Sequence, residues 1–210
     1  SKIFGARLGG AIIKNKLFFF ANFETEDNTR PGINFIPSAP GRSGANVSRT
    51  TLADMELVRK HVKEKYWYDP GASEGYASNF QTKNYKALAR IDWNLNNKNK
   101  LTFRYNQVVA TDDQTVNGTS APHPRSSSNR ISQNSYAFEN ANYGFENSVR
   151  SLTAELNSTF NNKVSNQFLV TYTRIQDKRT SKSDPFPFID IKKDGDSYLS
   201  SGYELFSWKN

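Results

Sequence analysis

The chain has 210 residues, 36% of them hydrophobic, a formal net charge of +8 and no cysteine. Its length allows one domain or a compact pair. The missing cysteine excludes a disulfide scaffold, a thiolate zinc site and a cysteine nucleophile, and no run approaches the roughly 20 apolar residues of a membrane-spanning helix.

The surplus of base does not make a nucleic-acid partner. Cations are scattered and share segments with acids, as in Lys178, Arg179, Lys182 and Asp184, or Asp190, Lys192, Lys193 and Asp194, and such mixing reads as solvated loop. The apolar residues are those strands prefer, with 15 Phe and 10 Tyr against a single Met. A mean hydropathy of −0.74 is low for a soluble core protein. It is ordinary for a barrel, whose strands need to be apolar only at alternate positions.

The first predicted element is a hairpin over about 4–24. Ala6, Leu8 and Ile12 share one parity, Asn15-Lys16 turns the chain, and Leu17, Phe19, Ala21 and Phe23 follow on alternate positions. Gly5, Gly9 and Gly10 weaken its first strand, which points to a bulge or to close approach by another part of the protein. Phe18 and Phe20 face opposite to Phe19, so aromatic rings crowd both faces near the turn. A girdle at the membrane edge plus packing against an internal domain accounts for that placement better than a soluble core does.

A long loop over about 25–84 comes next, and it contains one helix. Leu52, Met55, Val58, Val62 and Tyr66 fall at helical spacing over Thr51 to Tyr66. Thr51 is a capping residue, Asp54 and Glu56 suit the start, Lys63 and Lys65 suit the end, and Asp69-Pro70-Gly71 stops it.

The second hairpin, over about 85–108, shows the alternation most clearly. Ala87, Ala89, Ile91, Trp93 and Leu95 alternate with Lys86, Arg90, Asp92 and Asn94; after a turn at Asn96 to Lys100, Leu101, Phe103 and Tyr105 alternate with Thr102, Arg104 and Asn106. A second long loop covers about 109–149, with an irregular stretch from Ala121 to Ser128. The third hairpin, about 150–175, sets Leu152, Ala154, Leu156 and Phe160 against Thr153, Glu155, Asn157 and Thr159, then turns near Asn161-Asn162-Lys163 into Phe168, Val170 and Tyr172. In the last loop, about 176–210, Phe186, Phe188, Ile189 and Ile191 start another strand, Asp194-Gly195-Asp196 turns it, and Tyr203 to Trp208 is aromatic and short of a partner.

Strands of about 9 to 12 residues match the roughly 9 to 11 that a tilted membrane strand needs, and exceed the usual five or six of a globular sheet. The hairpin turns are all short and the returns all long. Successive connections of an up-and-down sheet fall on opposite ends, so short turns share one rim and long loops the other, as in outer-membrane barrels. The expected fold is therefore all-β, a segment of a large antiparallel transmembrane β-barrel with long extracellular loops and one loop helix. The chain starts in strand-like sequence and ends on an unpartnered aromatic stretch, which reads as a piece of a longer barrel with no plug domain of its own.

Residues for chemistry are sparse. His61 sits on the predicted helix and His123 between prolines, neither with companions for metal or acid–base work. Asp190, Asp194 and Asp196 lack the spacing and terminal Glu of a calcium loop, Asp112-Asp113 needs nothing beyond solvent, and the glycines at 5–10 lack the context of a phosphate loop. No nucleophile, base and orienter can be nominated, so catalysis, metal and cofactor are not expected. Arg90, Asp92, Arg104 and Glu155 are candidates for a wet lumen, where they avoid the roughly 2–4 kcal/mol that a charge costs in lipid. Arg42, Arg49, Trp67, Tyr68 and Arg125 are candidate ligand contacts in the loops.

Leu8-Gly9-Gly10-Ala11-Ile12-Ile13-Lys14-Asn15-Lys16-Leu17-Phe18-Phe19-Phe20-Ala21-Asn22-Phe23-Glu24 closely resembles the GGPI-x-K-[ND]-K-LFFF-x-x-[YF]-E hairpin of TonB-dependent outer-membrane receptors, with Ala11 where proline is usual. The nearest branch is the Oar-like group of Bacteroidota, whose members often carry a carboxypeptidase-regulatory-like domain before the plug. The likeness continues in Tyr85–Trp93, Asn99–Tyr105, Leu152–Ser158, Tyr172–Arg174 and Glu204–Ser207, where it is generic barrel sequence. It implies a barrel of about 22 strands around a plug, driven by TonB, that binds and imports a nutrient such as a peptide, glycan or metal chelate. The implied partners are the remainder of the barrel and the plug, TonB through an N-terminal part outside these residues, outer-membrane lipid, and a surface lipoprotein or protein complex. A surface binding or adhesion barrel without energised transport is the alternative.

Overall fold

A computed structural model describes residues 1–74, 79–118 and 129–203. The chain divides into two compact units, each assembled from three segments.

The first unit comprises Ser1–Asn28, Thr82–Thr111 and Glu146–Asp177. Its strands are β1 (Lys2–Ile13), β2 (Leu17–Arg30), β5 (Phe80–Asn96), β6 (Asn99–Gln114), β8 (Tyr143–Asn161) and β9 (Val164–Ser181), paired in the order β1-β2-β5-β6-β8-β9. The strands reach 12 to 19 residues, longer than the alternating apolar pattern predicts. Periodicity reports a strand only where one face is apolar. Beyond it, polar side chains carry the pairing onward: Asn84 Nδ2 donates to Glu26 Oε2 (2.9 Å) and Asn147 Nδ2 to Asp177 Oδ1 (2.8 Å). The long connections are correspondingly shorter than expected.

Each tight turn is built by asparagine. Asn15 adopts φ +59 between β1 and β2, a region asparagine tolerates better than most residues. Asn96 Oδ1 accepts from Lys98 N (2.9 Å), and Asn161 Oδ1 accepts from Lys163 N and Val164 N (both 2.9 Å). Neighbouring turns are tied together, Asn94 N to Lys16 O and Thr159 N to Lys98 O, both 2.8 Å, so all three lie on one rim. The register slips between Ala11 and Ile13, which puts the bulge beside the turn and not at the glycines. Gly9 serves close approach instead: a Cβ there would meet Phe20 Cδ2 at 3.0 Å and Phe19 O at 3.2 Å.

The second unit comprises Thr29–Gln81, Asp112–Phe145 and Lys178–Asn210. It holds a parallel pair β3 (Ile36–Ser38) and β4 (Val47–Thr51), helix α1 (Leu52–Tyr66), and a three-stranded sheet in the order β10 (Ile189–Lys193), β11 (Asp196–Ser201), β7 (Tyr136–Ala137). The helix starts one residue later than its sequence pattern, because Thr51 caps it from outside, its Oγ1 accepting from Asp54 N (3.0 Å). It ends on Trp67 at φ +52, whose N–H bonds Lys63 O (3.1 Å) while Tyr68 N bonds Val62 O (3.3 Å). The loops predicted from sequence thus carry a hydrophobic core: Met55, Tyr136, Phe138, Tyr198 and Leu199 are buried together, with Val58, Ile131 and Ile191 against them. The strand expected near Phe186 begins at Ile189 and is turned by Asp194-Gly195, as the sequence suggests. Residues 204–208 of the aromatic stretch lie outside the described residues.

Candidate functional site

The sheet of the first unit presents two chemically opposite faces. On one, Leu8, Ile91, Trp93, Phe103, Leu152, Phe168 and Tyr172 all stand exposed, Phe168 at 61%. Water does not tolerate so many uncovered rings on a monomer's surface. On the other face the sequence-predicted charges meet. Arg90 Nη2 donates to Asp92 Oδ1 (2.8 Å), which also accepts from Thr102 Oγ1 (3.0 Å) and pairs with Lys100 Nζ (3.1 Å). Glu155 Oε1 accepts from Asn157 Nδ2 (2.7 Å) and Gln167 Nε2 (2.8 Å) and lies within electrostatic reach of Arg90 and Arg104. Lys86 Nζ pairs with Glu24 (2.7 Å), and hydroxyl ladders join Ser151 to Thr173 (3.0 Å) and Thr153 to Thr171 (3.1 Å). Aromatic rings enter this polar face at Phe18 and Phe20, which have the same parity as Glu24 and Asn22.

The chain matches the family model described as an outer membrane beta barrel domain over residues 1–204. The chain belongs to that family. Neither a curated protein nor a solved structure matches it. As a member of the outer-membrane barrel family, the chain resides in the outer membrane and forms part of a larger barrel assembly. Its uncovered apolar face then meets hydrocarbon, and the match accords with a non-enzymatic chain. Among the described residues no group of His, Asp and Glu gathers that could hold a metal.

The loop candidates are distributed over the second unit and do not converge on one site. Arg42 Nη1 binds Glu74 Oε2 (2.5 Å) and Pro37 O (3.2 Å), a pairing that holds the guanidinium's pKa above its ordinary value. Arg49 reaches Asn134 O and Lys193 O, both at 2.9 Å. Tyr68 is buried, stacked on Phe186 at 3.9 Å, with its hydroxyl 2.7 Å from Ser183 Oγ; burial raises its pKa. Trp67 alone among the described candidates is open, at 92% exposure. Arg125 lies outside the described residues. His61 packs edge-on against Tyr66, and Asp112 and Asp113 pair with Arg30 (3.2 Å) and Lys182 (3.9 Å).

One pair escaped sequence reasoning. Arg130 and Asp190 are buried, with Nε to Oδ1 at 2.9 Å and Nη2 to Oδ2 at 2.6 Å, while Ser200 Oγ donates to Asp190 Oδ1 (2.6 Å) and the guanidinium lies 4.5 Å over the Phe188 ring. Nothing local marks either residue, since the partners are 60 positions apart.

Proposed function

We propose that the chain is the early part of a TonB-dependent importer's barrel, which binds a nutrient such as a peptide, glycan or metal chelate and admits it through the lumen. The observation that carries this reading is the β1–β2 hairpin. Its Leu-Gly-Gly and Leu-Phe-Phe-Phe runs lie directly opposite one another, Gly9 across from Phe20 and Gly10 across from Phe19. The glycine at 9 lets the Phe20 ring lie against the backbone on the polar face, where Phe18 and Phe20 offer an apolar landing for an internal plug. Arg90, Asp92, Arg104 and Glu155 face the lumen, hydrated or paired as above.

Closure supports the same reading. Among the described residues β1 and β9 each have one neighbour in the sheet, and an unpaired edge in lipid leaves backbone groups unsatisfied at several kcal/mol each. Further strands must close the cylinder. In this account the long connections face outward, and Trp67, on a helix end rich in Lys63 and Lys65, is the ligand contact most ready to act. TonB engages an N-terminal segment outside these residues.

The test uses the full-length parent in cells, with a photo-crosslinker at Phe20 and a TonB pull-down. An importer gives an intramolecular Phe20 crosslink to a plug and a TonB complex. A parent that yields neither, and that conducts as a steady pore in planar bilayers, is not an importer. The second unit, with its own core and its exposed Trp67, favours a surface-binding barrel as the alternative. That barrel binds extracellular ligand without any TonB dependence.

A further inference from the structure

We propose that the short-turn rim is a docking surface for the anionic phospholipid headgroups of the periplasmic leaflet. The inference rests on the outer-membrane location and on the strand ends, and it holds whether or not the barrel imports.

The three turns carry Lys14, Lys16, Lys98, Lys100 and Lys163, and no Asp or Glu stands anywhere in 14–16, 96–100 or 161–163. The whole chain has 28 bases and 20 acids, and with these five lysines set aside the two are nearly even, so the rim departs from its own protein's habit. Lys100 is engaged by Asp92 at 3.1 Å. Lys14, Lys16, Lys98 and Lys163 make no ion pair among the described residues, and the nearest polar contact of Lys98 Nζ is Phe160 O at 3.5 Å. The turns are linked through the Asn94–Lys16 and Thr159–Lys98 backbone bonds, so these cations form one collar.

The collar also stands where a headgroup is. Ile12, Trp93, Leu95, Phe160 and Val164 are exposed apolar residues in the last turns of strand before it. Their side chains end the hydrocarbon band, and the tryptophan sits at the level where such rings favour the interface. A lysine just beyond that band lays its methylene stem on apolar surface and lifts its ammonium to the phosphates. Short turns of an outer-membrane barrel face the periplasm, whose leaflet is phospholipid. The asparagine amides between the lysines supply donors for the ester and phosphate oxygens. Each surface lysine enriches anionic lipid about fivefold at low salt, and less as salt screens it.

The experiment reconstitutes the full-length protein in nanodiscs of equal parts phosphatidylcholine and phosphatidylglycerol and counts retained lipids by native mass spectrometry. Heat-modifiable gel migration selects the folded fraction. Wild type is expected to retain phosphatidylglycerol over phosphatidylcholine, and K14Q/K16Q/K98Q/K163Q to lose that preference by about tenfold or more, while K60Q/K192Q keeps it. Raising salt should erode the wild-type preference alone. Equal retention by folded wild type and the quadruple variant overturns the proposal. So does a variant that keeps its lipid preference but loses binding to purified peptidoglycan sacculi, which would assign the collar to an anionic polymer instead.

Discussion

The two units invert each other. In the second, Met55 and Phe138 are wholly buried among Tyr136, Tyr198 and Leu199, and the one buried ion pair among the described residues is Arg130 with Asp190. In the first, Ile91, Trp93 and Phe103 stand more than 40% exposed while Arg90, Asp92 and Thr102 bond one another on the sheet's opposite face. One chain therefore follows the same rule in two solvents, since apolar groups go where water is not. Hydrocarbon takes the place of a core for the sheet, and the connecting segments must build a core of their own. Stability in the two units accordingly has different sources, and substitutions can separate them.

The largest separation should come from Asp190→Ala. Removing one partner of a buried ion pair leaves the other uncompensated and costs about 3–5 kcal/mol. In the full-length protein the second unit should become protease-sensitive while the barrel keeps its heat-modifiable migration. Loss of both together would mean that the units are not energetically distinct. The paired change Arg130→Met with Asp190→Leu should recover much of the loss, because apolar replacement removes both charges at once.

Phe103→Arg tests the opposite region. An arginine on the lipid face costs about 2–4 kcal/mol at the bilayer midplane and falls toward zero near the interfaces, so at Phe103, three residues in from Lys100, the expected cost lies between these limits. Folding into micelles or vesicles should fail or slow for this variant, while Thr102→Arg, on the polar face, should be tolerated better. If both variants assemble equally, the assignment of faces is wrong.

How much of this was legible in the sequence follows the range of the physics involved. Alternation across Ala87 to Leu95, the asparagine turns and the Thr51 cap act over a few residues, and each reads directly. The extended strand ends beyond Glu24 and before Tyr85 do not, because both faces there are polar and no period of two survives. The second unit's core was invisible as such: Met55, Phe138 and Leu199 come from three separate segments, and β7 is only two residues long. Of the candidate charges, Arg90 and Asp92 are neighbours on one strand and meet, while Arg42, Arg49 and Tyr68 are taken up by contacts that sequence spacing does not announce.

A smaller effect probes the start of α1. Thr51→Ala removes the side chain that accepts from Asp54 N and should cost about 1 kcal/mol. Hydrogen exchange in the first turn of α1 should rise, with the sheet amides unchanged. Thr51→Asp should restore protection, since aspartate caps as well and suits the positive end of the helix dipole.

The smallest effect is a pH dependence confined to the second unit. Asp54 accepts from the Tyr198 hydroxyl, a bond that lowers its pKa below the ordinary 3.8, with the Thr51 contact adding to it. Asp69 is also held low: burial opposes ionisation, but the Lys63 ammonium at 2.7 Å and the Gly71 N–H at 3.0 Å outweigh it. A carboxylate with a depressed folded pKa binds fewer protons folded than unfolded. Its stabilisation is complete above the unfolded value and drains away as pH falls through the folded one. The second unit should therefore loosen only below about pH 4, seen as faster exchange at both ends of α1. Asp54→Asn should flatten the response at the helix start and leave the Asp69 end responsive. Exposure of both carboxylates keeps the effect modest, so a collapse of the whole unit in that window would show that these two groups are not its source.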